Sequence, residues 1–443
     1  MTKITYQDLE LPNYLNTRMV FGNLDVSDLA KAAVLAPLNI LLVGDTGTGK
    51  SQLATDIYHY YFGGNKTENG QGVFIRAHPE IDIYNEIFTN LSIERAQREL
   101  TDNLEAKIFF VDELNRAPSV AQNQFFGLGD GVMDYRGRSV RLGKDGYHIL
   151  VGTANLGNGE FQGTFETDKA MYNRLHVALD FDYKDFKPTG KDQRELNRRK
   201  PNPNVKKQNP RDISDKILTA SKEIERNSEN LGLETLAVID YLTFGLDNCQ
   251  RNLEEGRGNG KGEIWPMKCQ DCKFNPNDGS LCSLIRAPKR RTLNSLLRYA
   301  NALQYLAELK NPEIIIDPID LIFKSFELTG AYQFLLNPHK LRQDHCDQNP
   351  EMMAEIAKRL KEDFRKNEDF IMSSLEQAKK GNKTTTFFKH NGKLGDYNKF
   401  SEERKTKVQP IKPFHDNREI GLSYMLEVID EDIERAKSVE RAD

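Results

Sequence analysis

This chain has no long apolar runs, little excess of positive or negative charge, and few cysteines. No run approaches the roughly 18 apolar residues of a membrane-spanning helix, and residues 1–6 lack the apolar region of a signal peptide. The formal net charge of −4 gives no overall basic field for non-specific DNA binding. With 38% hydrophobic and 29% charged residues, the composition also excludes a disordered chain. We therefore expect a globular cytoplasmic protein without a membrane partner.

The few cysteines are clustered. Four of the five lie between Cys249 and Cys282, and Cys269 and Cys272 form a C-x2-C pair. In a reducing compartment such a cluster predicts a metal site before it predicts disulfides. Three interpretations stay open: Zn²⁺ held by Cys249, Cys269, Cys272 and Cys282, an iron–sulfur cluster on the same thiols, or no metal. Cys346 stands apart and is interpreted as a bystander.

The most informative motif is the run Gly-Asp-Thr-Gly-Thr-Gly-Lys-Ser at 44–51, between an apolar run and a predicted helix. It matches G-x-x-x-x-G-K-[ST], a loop whose backbone N–H groups cradle phosphates. Lys50 would neutralise the β- and γ-phosphates, and the Ser51 hydroxyl would ligate Mg²⁺. The sequence thus predicts ATP and Mg²⁺ binding by Gly44, Asp45, Thr46, Gly47, Thr48, Gly49, Lys50 and Ser51.

A second motif supplies carboxylates for hydrolysis. The apolar run at 108–111 ends in Asp112 and Glu113, as in a Walker B strand. Asp112 would hold Mg²⁺ through its water shell, and Glu113 would orient and polarise the attacking water. Adjacent carboxylates favour hydrolysis over nucleotide binding alone.

The residues that follow carry a family resemblance. Asp-Glu-Leu-Asn-Arg-Ala-Pro at 112–118, with Gln122, resembles the D-E-[IL]-N-R-A-P signature of MoxR-type AAA+ ATPases. A hairpin-like segment at 132–141 and a strand at 149–154 follow in the family's order. The chain departs from the pattern between 76 and 108, where the family's helix-2 insert is shortened or altered.

The resemblance also implies roles for three further residues. Asn155 would be the sensor-1 residue that contacts the γ-phosphate or the catalytic water. Arg174 would be an arginine finger that reaches the nucleotide of a neighbouring subunit, although Asn173 stands where the family has an acidic residue. Arg291, aligned through Leu297 and Arg298, would be the sensor-2 arginine.

The predicted fold class is α/β, a P-loop AAA+ parallel sheet flanked by helices and followed by an all-α lid. Strand-like runs at 38–43, 73–76, 108–112, 148–153 and 175–181 alternate with helical stretches, and later periodicity is helical. The predicted divisions are an N-terminal helical segment (1–35), the nucleotide-binding domain (36–190), a polar basic linker (191–211), the lid (212–340) with its cysteine-rich insertion (249–288), and a charged helical extension (341–443).

The resemblance implies an Mg²⁺-dependent ATPase that assembles as a hexameric ring and remodels or activates a partner protein. By family analogy, that client or adaptor carries a von Willebrand factor A domain. Two alternatives stay open. One is a nucleic-acid-translocating or restriction-type motor; the other is a nucleotide-dependent scaffold without hydrolysis, against which Glu113 argues.

Overall fold

The computed structural model of the protein describes most of the chain in two compact units. The described residues are 3–66, 70–92, 97–155, 165–199, 204–206, 209–227, 232–257, 260–262, 265–273, 279–380, 387–390, 393–396, 425–426 and 428–431. The first unit comprises Met1–Asn230 and Asn294–Ile316, and the second comprises Leu231–Leu293 and Asp317–Asp443. The chain therefore leaves the first unit and returns to it, a division that differs from the consecutive domains predicted above.

The first unit contains the strands and the earlier helices. Its strands are β1 (Met19–Phe21), β2 (Leu24–Asp25), β3 (Ile40–Val43), β4 (Gly72–Arg76), β5 (Thr89–Ser92), β6 (Gln97–Leu100), β7 (Ile108–Asp112), β8 (Val132–Tyr135), β9 (Arg138–Arg141), β10 (Ile149–Ala154) and β11 (Val177–Asp180). Its helices are α1 (Val26–Leu35), α2 (Lys50–Phe62), α3 (Ser119–Asp130), α4 (Lys169–Tyr172), α5 (Gly190–Arg198) and α6 (Ser214–Asn227).

The core of this unit is a five-stranded parallel sheet in the order β11-β3-β10-β7-β4. All residues of β3, β10 and β11 are buried, which explains why these strands are continuous apolar runs rather than alternating patterns. The predicted α/β class, the five strands and their parallel arrangement are confirmed. Because β10 lies between β3 and β7, the residues that follow these three strands meet at one edge of the sheet.

The N-terminal segment contains a helix, α1, as the apolar spacing predicts. However, α1 is buried on all sides rather than along one stripe. Its buried charges are compensated, since the Lys31 ammonium pairs with Asp28 at 2.8 Å. Asp25 begins the helix with a capping box in which its side chain accepts the Asp28 N–H.

Residues before β1 are fastened beside the glycine-rich loop by one carboxylate. Asp56, buried on α2, accepts the backbone N–H groups of Asn13 and Tyr14 and the Asn13 side-chain amide, each at 2.9 Å. The ring of Tyr14 then packs edge-on against Phe181, with centroids 6.0 Å apart. A Cβ at Gly49 would lie 3.4 Å from the same ring. The N-terminal segment therefore forms part of the wall of the loop.

The second unit is helical, as predicted for the C-terminal half. Its elements are α7 (Leu233–Asp240), α8 (Gln250–Glu254), α9 (Leu281–Leu284), the first turn of α10 (Arg290–Lys310), α11 (Pro318–Gly330), α12 (Pro338–His345), α13 (Asn349–Lys379) and the hairpin β12 (Phe387–His390) and β13 (Lys393–Asp396). None of the helices in the described ranges is long and apolar enough to cross a bilayer.

The long helix α13 lies within the core of the second unit. The Phe364 ring packs on Tyr241 and Phe323, with centroids 5.3 and 6.1 Å away. The Tyr241 hydroxyl donates to Asp363 at 2.7 Å. Thus α13 packs with the helices of the predicted lid, although the predicted boundary at 340 separates them.

Asp56→Ala should loosen the N-terminal segment from α2. Each hydrogen bond to a buried carboxylate contributes roughly 1.5–3 kcal/mol, and several are lost together, so we expect a loss of about 3 kcal/mol in stability. Calorimetric unfolding should report a lower midpoint. The control is Glu105→Ala, whose exposed carboxylate makes only long ion pairs, at 3.4 and 3.9 Å. Equal midpoints for the two variants would contradict this assignment.

Candidate active site

The glycine-rich loop between β3 and α2 has a backbone conformation that residues other than glycine rarely adopt. Gly49, with φ 97°, directly precedes α2, and no side chain caps the first turn of the helix. Gly44 has φ 144°, and a Cβ there would approach the Phe181 Cβ to 3.0 Å. The positive end of the α2 dipole and its first N–H groups therefore face the loop, an arrangement that binds phosphate.

The loop is held in shape by contacts to one of its own residues. The backbone N–H of Asp45 donates to the Asp182 carboxylate at 2.8 Å. The Thr48 hydroxyl and the Lys50 ammonium both donate to the Asp45 carbonyl, each at 2.8 Å. Asp182, which follows β11, was not identified from the sequence as a site residue. These contacts hold the loop in a curled conformation around the Asp45 carbonyl.

Lys50 lies among carboxylates. Its side chain is buried, and burial lowers its pKa below the ordinary value, while Asp182, Asp112, Asp45 and Glu113 act in the opposite direction. A charged amine in such a place must be compensated by anions. Triphosphate oxygens would supply further negative charge to the same amine.

The Asp112 carboxylate lies next to the hydroxyl of Ser51 in the loop. Ser51 Oγ is 3.5 Å from Asp112 Oδ1. A third residue, Thr153 on β10, donates its hydroxyl to the same Asp112 oxygen at 2.7 Å and accepts the backbone N–H of Glu113 at 2.9 Å. Thr153 is fully buried. Sequence reasoning missed it; the available signal was a hydroxyl within an otherwise apolar buried strand.

Glu113 occupies a strained backbone position at the end of β7. Its φ and ψ are 56° and 47°, in the left-handed region that non-glycine residues avoid. Its carboxylate pairs with Arg116 at 3.0 Å, and the Glu113 side chain keeps 28% of its surface exposed. The backbone thus turns Glu113 away from the path of the strand, and Arg116 anchors its side chain.

Two residues of the family signature, Asn115 and Gln122, form hydrogen bonds to neighbouring segments of the chain. Asn115 donates its amide to the Asn155 carbonyl at 2.7 Å and accepts the Asn155 N–H at 3.4 Å. Gln122 donates to the carbonyls of Ala117 and Glu166, at 2.8 and 3.2 Å. Asn155 Oδ1 is buried without a hydrogen-bond partner among the described residues. A buried amide oxygen without a partner among the described residues, at the edge of the sheet, fits a role in accepting a hydrogen bond from a bound water.

The two predicted arginines differ in burial, since Arg174 is half-buried and Arg291 is exposed. Arg174 pairs with Asp130 at 2.7 Å, donates to the Ala170 carbonyl at 2.8 Å and covers the Phe126 ring at 4.6 Å. Arg291 lies exposed in the first turn of α10, in the second unit. Residues 163–164, part of the segment that suggested the finger, lie outside the described residues.

The oxygen ligands at the edge of the sheet, from Ser51 and Asp112, suit the way in which Mg²⁺ usually binds to proteins. Within the described ranges, no group of three or more His, Cys, Asp or Glu side chains is placed to hold a metal ion. Mg²⁺ rarely requires such a group, because it keeps several waters and binds one or two carboxylates together with substrate phosphates. Ser51 and Asp112, 3.5 Å apart beside the phosphate loop, provide a suitable pair.

Comparisons with known proteins show what part of the chain is similar to. Residues 39–175 match the family described as AAA domain (dynein-related subfamily). The chain is also similar to a solved candidate ATPase from Cytophaga hutchinsonii ATCC 33406, with 17% identity over 74% of this chain and 87% of that chain, and a TM-score of 0.50. At that identity the likeness shows the fold alone. No curated protein matches the chain. Residues 39–175 are an AAA-type ATP-hydrolysing domain. This confirms the prediction of an AAA+ ATPase.

Thr153→Val should impair the site while keeping the shape of the side chain. The substitution removes the hydroxyl that orients Asp112 and the Glu113 backbone, so we expect ATP turnover to fall about 10- to 100-fold. The matched control is Thr329→Val in the second unit, where a buried hydroxyl bonds only a helix carbonyl, that of Ser325 at 2.8 Å. Phosphate release measures both variants, and equal rates would show that Thr153 has no special role.

Proposed function

We propose that this AAA-type ATPase is of the MoxR type and that it uses Mg²⁺-ATP hydrolysis in a ring to remodel or activate a partner protein. The observation that carries the proposal is the cluster formed by Ser51, Asp112, Thr153 and Glu113 beside the phosphate loop. It supplies a metal ligand pair and a water-orienting carboxylate together. A site that only bound nucleotide would have no need of the second carboxylate.

The proposed chemistry assigns one task to each group. The loop N–H groups and Lys50 hold the triphosphate, and bound Mg²⁺, held through Ser51 and Asp112, would neutralise phosphate charge. Glu113 orients a water in line with the γ-phosphorus, so that the new P–O bond forms as the bond to the β-phosphate oxygen breaks. Asn155 is assigned to the γ-phosphate or the water: its side-chain N–H group can donate to a phosphate oxygen, and its Oδ1, which has no partner among the described residues, can accept from the water. The zinc proposed for the cysteine-rich insertion takes no part in this chemistry.

Arg174 is the residue that would link ATP hydrolysis to assembly of a ring. Its guanidinium is bound to Asp130 and Ala170 of its own chain, so it would have to exchange these partners for a neighbouring subunit's phosphates. Only 19% of the Arg174 side chain is exposed. We propose that assembly of the ring, as a hexamer, drives this exchange. Arg291 is proposed as the sensor-2 arginine on the MoxR resemblance alone.

A partner protein is the proposed client, with a von Willebrand factor A domain as the first candidate on family analogy. The test is a pull-down with Glu113→Gln, which should hold ATP without turnover and keep the partner bound. The matched bait is Lys50→Ala, which cannot load ATP. A protein captured by the first bait and absent from the second supports remodelling. Identical captures would contradict it.

A second candidate function, movement on nucleic acid, is favoured by the β8–β9 hairpin. The hairpin projects Arg136, Arg138 and Arg141, all exposed, with Tyr135 beside them. Arginines with an aromatic ring are the elements of single-strand binding surfaces. DNA binding whose affinity falls steeply with salt, and which Arg136→Ala and Arg138→Ala weaken, would favour this candidate. Salt-insensitive or absent binding excludes it.

Lys50→Ala should abolish ATP binding, whereas Glu113→Gln should keep binding and stop turnover, because cradle and water activation are separate tasks. An electrostatic contact of this class is worth about 3 kcal/mol or more, so each loss should exceed roughly 100-fold. Phosphate release and nucleotide titration measure the two effects. The controls are Lys66→Ala and Glu105→Gln, partners in a 3.4 Å ion pair outside the site. Wild-type turnover in Glu113→Gln would refute its role.

Arg174→Ala mixed with Lys50→Ala should recover activity that neither variant has alone. In a mixed ring, an intact loop on one subunit meets an intact arginine on the next. Finger arginines contribute roughly 10³-fold or more, so recovery stands well above the background. Asp130→Ala, which removes the arginine's partner but keeps the arginine, is the control and should retain turnover. Wild-type hydrolysis by Arg174→Ala alone would show that the residue is no finger.

A further inference from the structure

The cysteine-rich insertion of the second unit is held together by polar contacts that converge on its four cysteines. An isolated bridge pairs Asn248 with Gly260, and the Asn252 amide donates to the Gly260 carbonyl at 2.6 Å. Residues next to Cys249 are thereby fixed beside Lys261. The Lys261 ammonium in turn donates to the Ile285 carbonyl at 2.6 Å, three residues after Cys282.

Two further contacts bring in the C-x2-C pair. Arg251, two residues after Cys249, donates to the Lys268 carbonyl at 2.7 Å, directly before Cys269. The Trp265 indole N–H donates to the Cys282 carbonyl at 3.1 Å. Between Cys269 and Cys272 the chain makes a turn, with the Cys272 N–H 3.4 Å from the Cys269 carbonyl. Segments far apart in sequence therefore carry all four cysteines into one region.

The side chains in this region influence one another electrostatically. Lys261 is buried, and the groups that act on its charge are Cys282, Asp247, Cys269 and Cys249. Cys346 is exposed and directly follows α12.

The insertion has little apolar material with which to fold. Among the described residues between Leu246 and Leu281, those that are buried are polar: Asn248, Asn252, Lys261 and Ser280. Met267, an apolar residue of the insertion, is 74% exposed. A segment of this kind generally needs a disulfide or a structural metal to hold a single shape. Among the described residues, none of these four cysteines takes part in a disulfide.

We infer that Cys249, Cys269, Cys272 and Cys282 form a structural Zn²⁺ site that fixes the insertion. Four thiolates with a C-x2-C turn are the usual ligand set for tetrahedral zinc, and the contacts described above bring their backbones together. As the side chains lie, the described residues do not form a metal-ready group. That is usual where binding completes folding, because the ion draws its ligands into place. The Lys261 ammonium would offset the negative charge of a four-thiolate centre.

The test is the metal content and thiol reactivity of the full-length chain. Protein purified without chelators should contain about one zinc per chain by elemental analysis. In native protein a thiol reagent should react rapidly with Cys346 alone, and with the remaining cysteines only after a chelator is added. Cobalt-substituted protein should show thiolate-to-cobalt absorption. None of these readouts depends on ATP hydrolysis, so failure here is distinct from failure of the proposed function.

Matched cysteine variants complete the test. Cys269→Ser and Cys282→Ser should lose the zinc and the cobalt absorption, while Cys346→Ser should keep both. If the ligand variants do not fold, stoichiometry and thiol counts of the unaltered chain still decide the matter. Zinc-free protein whose five thiols all react rapidly would overturn the inference. So would zinc retained by Cys269→Ser, or iron and acid-labile sulfide in place of zinc.

Discussion

The order of strands in the parallel sheet is the constraint on which the rest of the site depends. With β10 between β3 and β7, the phosphate loop, Asn155 and the Asp112–Glu113 pair follow three adjacent strands. Hydrogen bonding across the sheet fixes their relative heights, since Ala154 is paired with Val43 and Gly152 with Val111. The chemistry of the site is therefore a consequence of backbone register, and side chains adjust it only locally.

Thr153 shows how that register becomes chemistry. Its hydroxyl bonds both the Asp112 carboxylate and the Glu113 N–H, and so transmits the position of β10 to the two acids of β7. The left-handed backbone of Glu113, with φ 56°, is the local cost of directing its side chain out of the strand. The neighbouring strand β10, which is buried throughout, supports that strained position.

Much of this could be predicted from the sequence, and the exceptions have physical reasons. The strands β3, β10 and β11 were predictable because strands buried on both faces are continuous apolar runs. The loop residues and Asp112 were predictable because phosphate chemistry requires those residue types at fixed spacing. Thr153 and Asp182 act through tertiary hydrogen bonds, which leave no periodic or spacing signal. The return of 294–316 to the first unit was also hidden, since helical periodicity does not reveal which helices pack together.

The central claim is that the edge of this sheet hydrolyses ATP in a site that neighbouring chains complete. The most direct measurement is phosphate release from ATP by the unaltered chain over a wide range of protein concentrations, with and without Mg²⁺. The account predicts turnover only with Mg²⁺, and activity per chain that rises with concentration to a plateau as rings form. Activity per chain that is independent of concentration while light scattering shows assembly, or nucleotide bound with Mg²⁺ but never cleaved, would contradict it.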